Sequence, residues 1–405
     1  MVIPTQPYPM NTTAPVTALD EPTEAINKQI LSVSEDLLSG FHVAPFDAIA
    51  DQCRLDLEVV LERIRLMLQS GTIRRVRQTL LATKLAEGAL AAWEIPQEKL
   101  TATFHFMADE DPFSGHIVVR STDRELPGSQ FNLWTTLKVP QGESLEMHAE
   151  TLKRIVGAKQ FRLMPAQGVF ALGVGHMRRR GLGPGALTPD KARMMTTTNV
   201  TLTDEEWTVF LALKRDLTAA EIISRPWVGR AEETGMDLER FYRVARRLDA
   251  KGVIGRFSTF LEHVKPSASG EKVTRYNGLF HWAVPKGMEK EAGAEIGRHY
   301  CMTHCYWREG GPDFGNVNIM GVFHGTQKDT VLAHKAAIDA HLRKVGIPLL
   351  YTSVFWGGNP RSSPLKFLQS STETGTRSIN PRNTNASFFT PRLQGNALLM
   401  ARAFR

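Results

Sequence analysis

The chain has 405 residues, 42% of them apolar and 22% charged, which is room for two to four domains and a real hydrophobic core. Its three cysteines, Cys53, Cys301 and Cys305, exclude a disulfide framework and point to a reducing compartment. No run approaches the length of an apolar membrane span, and the first residues carry neither region of a secretory signal, so a soluble, cytoplasmic protein with no membrane partner is expected.

The net charge of +7 suggests nucleic acid until it is located. From Arg361 to Arg405 there are seven Lys/Arg against one acid, Glu373, so +6 of the charge lies in the tail and about +1 in the rest. A nucleic-acid footprint needs a basic face on a folded element, not a basic tail.

Taken in chain order, residues 1–24 read as irregular. Residues 25–82 carry a short helix near 44–52 and an amphipathic helix with Leu57, Val60, Leu61, Ile64 and Leu68 at helical spacing, closed by Gly71 and a basic strand. That is a helix-turn-helix unit of winged-helix type. Residues 86–176 alternate strand and helix patterns in the order β-α-β-β-α-β, the ferredoxin-like split unit. Gly, Pro and Thr cluster in a linker at 177–201. The series then repeats. A second helix-turn-helix unit spans 202–264, with a short helix near 218–224 and a longer one carrying Phe241, Val244, Ala245 and Leu248 up to Gly252. A second ferredoxin-like unit spans 272–357, and a basic, mostly irregular tail spans 358–405. Gly71 to Gly252, Trp93 to Trp282 and Asn132 to Asn318 are separated by 181, 189 and 186 residues. A near-constant offset is the mark of a duplication. The fold class expected is α+β, two tandem repeats of a helix-turn-helix unit plus a ferredoxin-like domain, with two sheets packed as an internal pseudo-dimer. A further homodimer stays open.

This order resembles the Lrp/AsnC architecture. The residues resemble, more narrowly, the siroheme decarboxylases, which have paired or fused homologous halves. The resemblance rests on Thr303-His304-Cys305-Tyr306-Trp307-Arg308, then Pro312-Asp313-Phe314, Asn318 and His324-Gly325. Phe131-Asn132-Leu133-Trp134-Thr135 is similar to a run in the family's other half, and Leu349–Ser353 with Ser362–Phe367 to its closing strand. It covers roughly residues 34–176 and 202–367.

The resemblance implies an iron tetrapyrrole with many carboxylates as substrate. Two acetate side chains would leave as carbon dioxide and become methyl groups, a step toward heme or d-type heme. Such chemistry needs cations for the carboxylates that stay, an apolar slot for the ring, and a proton donor at the carbon left behind. It requires no further cofactor. Alternation along the strand puts His304, Tyr306 and Arg308 on one face. A lone histidine is more often structural, but a His, Tyr, Arg series at i, i+2, i+4 is not what a simple packing face would carry. His304 is the expected proton donor, with His324 as a second donor or iron-facing group. Tyr306 would hydrogen-bond a carboxylate. Arg275 and Arg308, with Arg120 and Arg124 from the first half, would anchor carboxylates. Asn318 and Trp134 complete the substrate-binding set.

Aligning Arg124-Glu125 with Arg308-Glu309 puts Arg120 opposite His304, so the first half is expected to lack that histidine. One competent site is therefore expected, in the cleft of the second ferredoxin-like unit. His116, four residues before Arg120, would share its face. Cys301-x-x-His304-Cys305 has no second ligand pair, so no metal is expected. Two rivals remain. One is a transcription regulator, though Asp56, Glu58 and Glu62 on the first candidate reading helix would repel phosphate, and the second, which with Arg243, Arg246 and Arg247 could touch a backbone, is one helix with Asp237 and Glu239 at its tip; DNA is not the expected partner. The other is a tetrapyrrole-binding protein without turnover.

Overall fold

The computed structural model describes residues 19–81, 84–173, 175–179, 181–197, 199–262 and 275–362. Of the termini expected to be irregular, residues 1–18 and 363–405 lie outside the described residues, including most of the Ser362–Phe367 stretch of the resemblance.

The chain opens with α1 (Ala25–Ser34), β1 (Leu38–Ser39), α2 (Pro45–Cys53), α3 (Leu57–Ser70) and β2 (Ile73–Leu80). Asp56 caps α3 by accepting from the Glu58 N–H, and Gly71 at φ 84° ends it in a conformation glycine adopts without strain. The buried positions Val60, Leu61, Ile64 and Met67 follow the expected helical spacing. The first sheet unit contains β3 (Glu87–Glu94), α4 (Leu100–Asp109), β4 (Ser114–Ser121), β5 (Leu133–Val139), α5 (Leu145–Val156), β6 (Gln160–Pro165), β7 (Gly168–Leu172) and the single turn α6 (His176–Arg179). The second helical module is α7 (Asp204–Lys214), α8 (Val228–Glu233), α9 (Leu238–Ala250) and β8 (Ile254–Leu261). The second sheet unit is β9 (Tyr276–Ala283), α10 (Glu289–Gly297), β10 (His304–Gly311), β11 (Val317–Gly325), α11 (Lys328–Lys344) and β12 (Tyr351–Ser362).

Several expectations shift in detail. The helix expected near 218–224 is a 3-10 turn, Ala219–Glu221, and α8 is the helix that precedes α9. The stretch at 177–201 is not a free linker. Leu187 and Met195 make isolated bridges to His299 and Val169, and the Thr188 N–H donates to the Arg298 carbonyl. The two helical modules do not stand apart: β2 pairs antiparallel with β8, and residues from both build one apolar core around Phe46, Ile64, Phe241 and Phe257.

The two sheet units also merge, against the expectation of two separate sheets. They form one nine-stranded sheet in the order β6-β3-β5-β4-β12-β9-β11-β10-β7. Each half keeps the ferredoxin-like order, its fourth strand beside its first. The joins explain the continuity. β12 runs on past β9 to pair with β4, and β7, two residues after β6, pairs with β10. Each closing strand thereby covers the other half's exposed edge. Because β6 and β7 sit at opposite ends of the strand order yet adjoin in sequence, the sheet folds back and its inner faces meet. Phe131, Trp134, Met164, Leu279, Phe314, Met320 and Phe355 fill that inner layer. Helices cover the outer faces through separate cores around Trp93 and Trp282.

Candidate active site

The strand registers fix which residues of the two halves correspond. Trp93 pairs with Leu133 and Trp282 with Ile319. Leu133 in turn pairs with Val119, and Ile319 with Trp307. The second strand of each unit is therefore offset by 188 (Val119 to Trp307), not by the 184 of Arg124 to Arg308. This overturns the expected alignment. Counting along the strand, Arg120 corresponds to Arg308 and His116 to His304. The first half keeps both residues and lacks the tyrosine, with Val118 at the place of Tyr306. The physical reason is that β4 ends at Ser121. The Arg-Glu pair at 124–125 lies beyond it in the connection, where Arg124 is exposed, and only imitates the pair on β10.

All four residues, His116, Arg120, His304 and Arg308, line one cavity of about 350 Å³ between the inner faces. Leu90, Leu279, Met320 and Val322 give it apolar walls, and Arg74, Arg256, Ser258 and Phe260 of the helical modules' sheet roof it. Both arginines are buried, and each reaches the closing strand of the opposite half. Arg120 Nη1 donates to the Phe355 carbonyl at 3.4 Å, and Arg308 Nη1 donates to the Met164 carbonyl. Phe355 and Met164 are themselves equivalent, pairing with Leu279 and Leu90. These reciprocal bonds are the pseudo-two-fold at the site.

Neither guanidinium has a carboxylate partner among the described residues. Burial lowers Arg120 to about 9 and Arg308 to about 10. Arg120 Nε is buried without a hydrogen-bond partner among the described residues. Arg120 lies 5.9 Å over Trp134, and Arg308 lies 4.6 Å over Tyr306, so aromatic faces support both cations. Burial, and secondarily Arg120, hold His116 down at about 4. His304 stacks on Tyr306 with ring centroids 6.1 Å apart, and its Nδ1 is 3.1 Å from Thr303 Oγ1. Burial raises Tyr306 above the usual phenol range. Glu35 is the one acid among the described lining residues; it accepts from the Met177 N–H at 2.7 Å. Uncompensated buried cations in an apolar slot favour an anionic ligand.

The other expected site residues fall elsewhere. Asn318 is away from the cavity. Its amide exchanges hydrogen bonds with the N–H and carbonyl of Val284 and donates to Glu289, closing the end of β9. Asn132 does the same for Ile95 in the first half. Trp134 is buried beneath the cavity in the inner layer, donating to the Phe131 carbonyl; it supports Arg120 and does not line the space. Arg275 is exposed at the start of β9. His324 is half-buried and pairs across the ladder with Asn277, which does line the cavity. Arg74, Arg256 and Asn277 were missed by the sequence reading. The basic strand after Gly71 and its repeat after Gly252 were the available signal for the two arginines, but their inward aim depends on the pairing of β2 with β8. Arg256 also clamps module to sheet, donating to the carbonyls of Glu35 and Leu172 at 3.1 Å each. No group of three or more potential metal ligands occurs among the described residues, and no described helix is long and apolar enough to cross a membrane.

Comparison with known proteins agrees with this architecture. The AsnC-like ligand-binding domain matches twice, over residues 85–170 and 274–354, one match per half. A siroheme decarboxylase of Hydrogenobacter thermophilus is 23% identical over 289 residues, 71% of this chain and 80% of that protein. The siroheme decarboxylase NirH subunit of Stutzerimonas stutzeri is 30% identical over 124 residues, 30% of this chain and 68% of that subunit. In structure, the siroheme decarboxylase NirDL in co-complex with an iron-uroporphyrin III analogue superimposes with a TM-score of 0.57 at 19% identity, covering 83% of this chain and 92% of that one; at that identity the likeness speaks for the fold. With the duplicated domain, the paired His and Arg in one cavity and these relatives, the chain belongs to the siroheme decarboxylase family.

Proposed function

We infer that this protein removes carbon dioxide from acetate side chains of siroheme, on the way to heme or d-type heme. The observation that carries the reading is the cavity itself: buried Arg120 and Arg308 with no counter-ion among the described residues, His116 and His304 beside them, and apolar walls for a ring. The step is R–CH2–COO⁻ plus a proton giving R–CH3 and CO2. It balances without an oxidant, so no cofactor beyond the iron tetrapyrrole substrate is called for. The bond that breaks leaves its electron pair on the carbon next to the ring, and a proton must arrive there. His304 is the donor, at the cavity wall and stacked on Tyr306. Tyr306 hydrogen-bonds a carboxylate of the substrate. Arg120 and Arg308 hold carboxylates that remain, with Arg74 at the roof. His324 and Arg275 belong to the rim, where they meet the ring's outer side chains.

The helical modules read as helix-turn-helix units whose role here is to roof the site. Their strands β2 and β8 pair with each other and put Arg74 and Arg256 on the cavity. On α9, Arg240 and Arg247 are tied to Glu205 at 2.7 and 2.6 Å, which turns them from a phosphate backbone. Anaerobic incubation with siroheme followed by mass analysis tests the reading. Losses of 44 mass units per acetate are expected. An unchanged mass with a shifted Soret band would instead make this a tetrapyrrole carrier or sensor.

A further inference from the structure

A second cavity of about 390 Å³ adjoins the first, and Thr136, Tyr306 and Arg308 line both. The two are compartments of one cleft, divided by the Tyr306–Arg308 strand. The second compartment carries its own cation, Lys138 on β5. Among the described residues no carboxylate forms an ion pair with it, although Glu87 and Glu146 line the same space as exposed residues. Burial first, and then the nearby Arg308, lower the Lys138 ammonium to about 8. Two neighbouring cations without a counter-ion are costly unless an anion joins them.

The register shows what this lysine replaces. Lys138 pairs with Gly88, and His324 pairs with Asn277. Leu90 and Leu279 occupy equivalent places two residues further along their strands, so Lys138 is the counterpart of His324. Gly88 makes room for it: a Cβ there would come within 2.9 Å of Lys138 Cγ. The duplication has therefore diverged into a small residue plus a lysine at one end of the cleft, and Asn277 plus His324 at the other.

We propose that the compartment beside Lys138 receives a carboxylate side chain of the tetrapyrrole, and that Lys138, with Arg308, fixes which way round the ring lies against His304. This rests on the reading of siroheme as substrate. A pseudo-symmetric cavity holding a ring with similar groups on every edge would otherwise accept it in two orientations. One cation placed off the two-fold removes that degeneracy, because the misoriented ring leaves the half-buried lysine without its anion.

The test compares wild type, Lys138→Gln and Lys138→Arg by Soret titration with siroheme, and by the masses and isomer ratio of the monodecarboxylated products after a single turnover. Lys138→Gln should weaken binding by about 10- to 100-fold, the worth of a charge-assisted bond, and should shift the isomer ratio. Lys138→Arg should restore most of both. Unchanged affinity in Lys138→Gln overturns the anchor. Weakened affinity with the wild-type isomer ratio overturns the orienting role. A wild type that neither binds siroheme nor releases carbon dioxide from it would instead overturn the function on which the inference stands.

Discussion

The two sheet units are the comparison that explains this molecule. Both keep a tryptophan on the first strand, a histidine and an arginine on the second, and an asparagine that closes the end of the first strand. They differ where their side chains face the shared layer. Val118 stands for Tyr306, Lys138 for His324, Ala92 for His281 and Gly88 for Asn277, by the registers of β3 to β5 and β9 to β11. Even the conserved tryptophans solve the same problem differently. Trp93 donates to Thr135 Oγ1 at 3.0 Å, and Trp282 donates to Asp339 Oδ1 at 2.6 Å. Duplication supplied a symmetric pair of cations and histidines around one cavity. Divergence then left the second half with Tyr306, stacked on His304, and the first half with a histidine held neutral beside Arg120. One cavity built by two unequal halves replaces the picture of a working half and a spent one.

The largest expected effect follows from that inequality. His304→Ala should lower turnover by roughly 10²–10⁴ while siroheme affinity stays near normal, as removal of a general acid does. His116→Ala should cost far less in rate, because a histidine held near 4 carries no proton to give at neutral pH. Single-turnover rates and Soret titrations of both variants check this. Equal losses would mean that the pseudo-two-fold is functional as well as structural, and that the Val118/Tyr306 difference is silent.

Next come the arginines. Arg120→Met and Arg308→Met should each weaken binding by about 1.5–3 kcal/mol. Each also removes a buried charge that has no counter-ion among the described residues, so the unliganded protein should melt at the same or a higher temperature. Loss of affinity together with a marked fall in Tm would show that these side chains hold the halves together instead of waiting for carboxylates.

The asparagines should separate structure from substrate. Asn318→Ala leaves the N–H and carbonyl of Val284 unpaired in a buried place, at about 1–3 kcal/mol per group. Asn132→Ala uncovers the same groups of Ile95 where they are only partly buried, so it should cost less. Urea unfolding measures the difference, and siroheme affinity of both folded variants should be unchanged.

Much of this was legible in the sequence and some was not, for identifiable reasons. The duplication, the element order and the face shared by His304, Tyr306 and Arg308 follow from periodicity, and periodicity is local. The register between halves is not local. The connection after β4 is two residues longer than the one after β10, since the offset falls from 188 on the second strand (Val119 to Trp307) to 186 on the third (Leu133 to Ile319). An Arg-Glu pair in that longer connection is enough to hide the equivalence of His116 to His304. Asn318 resembles a ligand because it lies within the family-like run, yet its partner is the backbone of Val284, 34 residues away in sequence. Arg74 and Arg256 reach the cavity only through pairing between modules some 180 residues apart.

The smallest effect concerns pH and stability, at a position where only the second half carries a histidine. His281 is fully buried, with its ring 4.8 Å from Phe355 and Nε2 without a partner among the described residues; Ala92 takes its place in the first half. Burial first, then Arg120 and Lys335, hold it down at about 3. In the unfolded chain an ordinary histidine titrates near 6.5. Between those values the unfolded state binds the proton and the folded state does not. The contribution is therefore fully present above about pH 6.5 and is lost progressively as pH falls toward the folded value, with a slope of at most about 1.4 kcal/mol per pH unit. His281→Gln should flatten the acid limb of the stability curve by up to that slope between pH 6.5 and 5, while Ala92→Ser, at the equivalent place, should leave the slope alone. Urea titrations at three or four pH values in that window measure it. An acid limb unchanged in His281→Gln would mean that the ring takes up a proton without unfolding, and that the inner layer beside Arg120 is open to water.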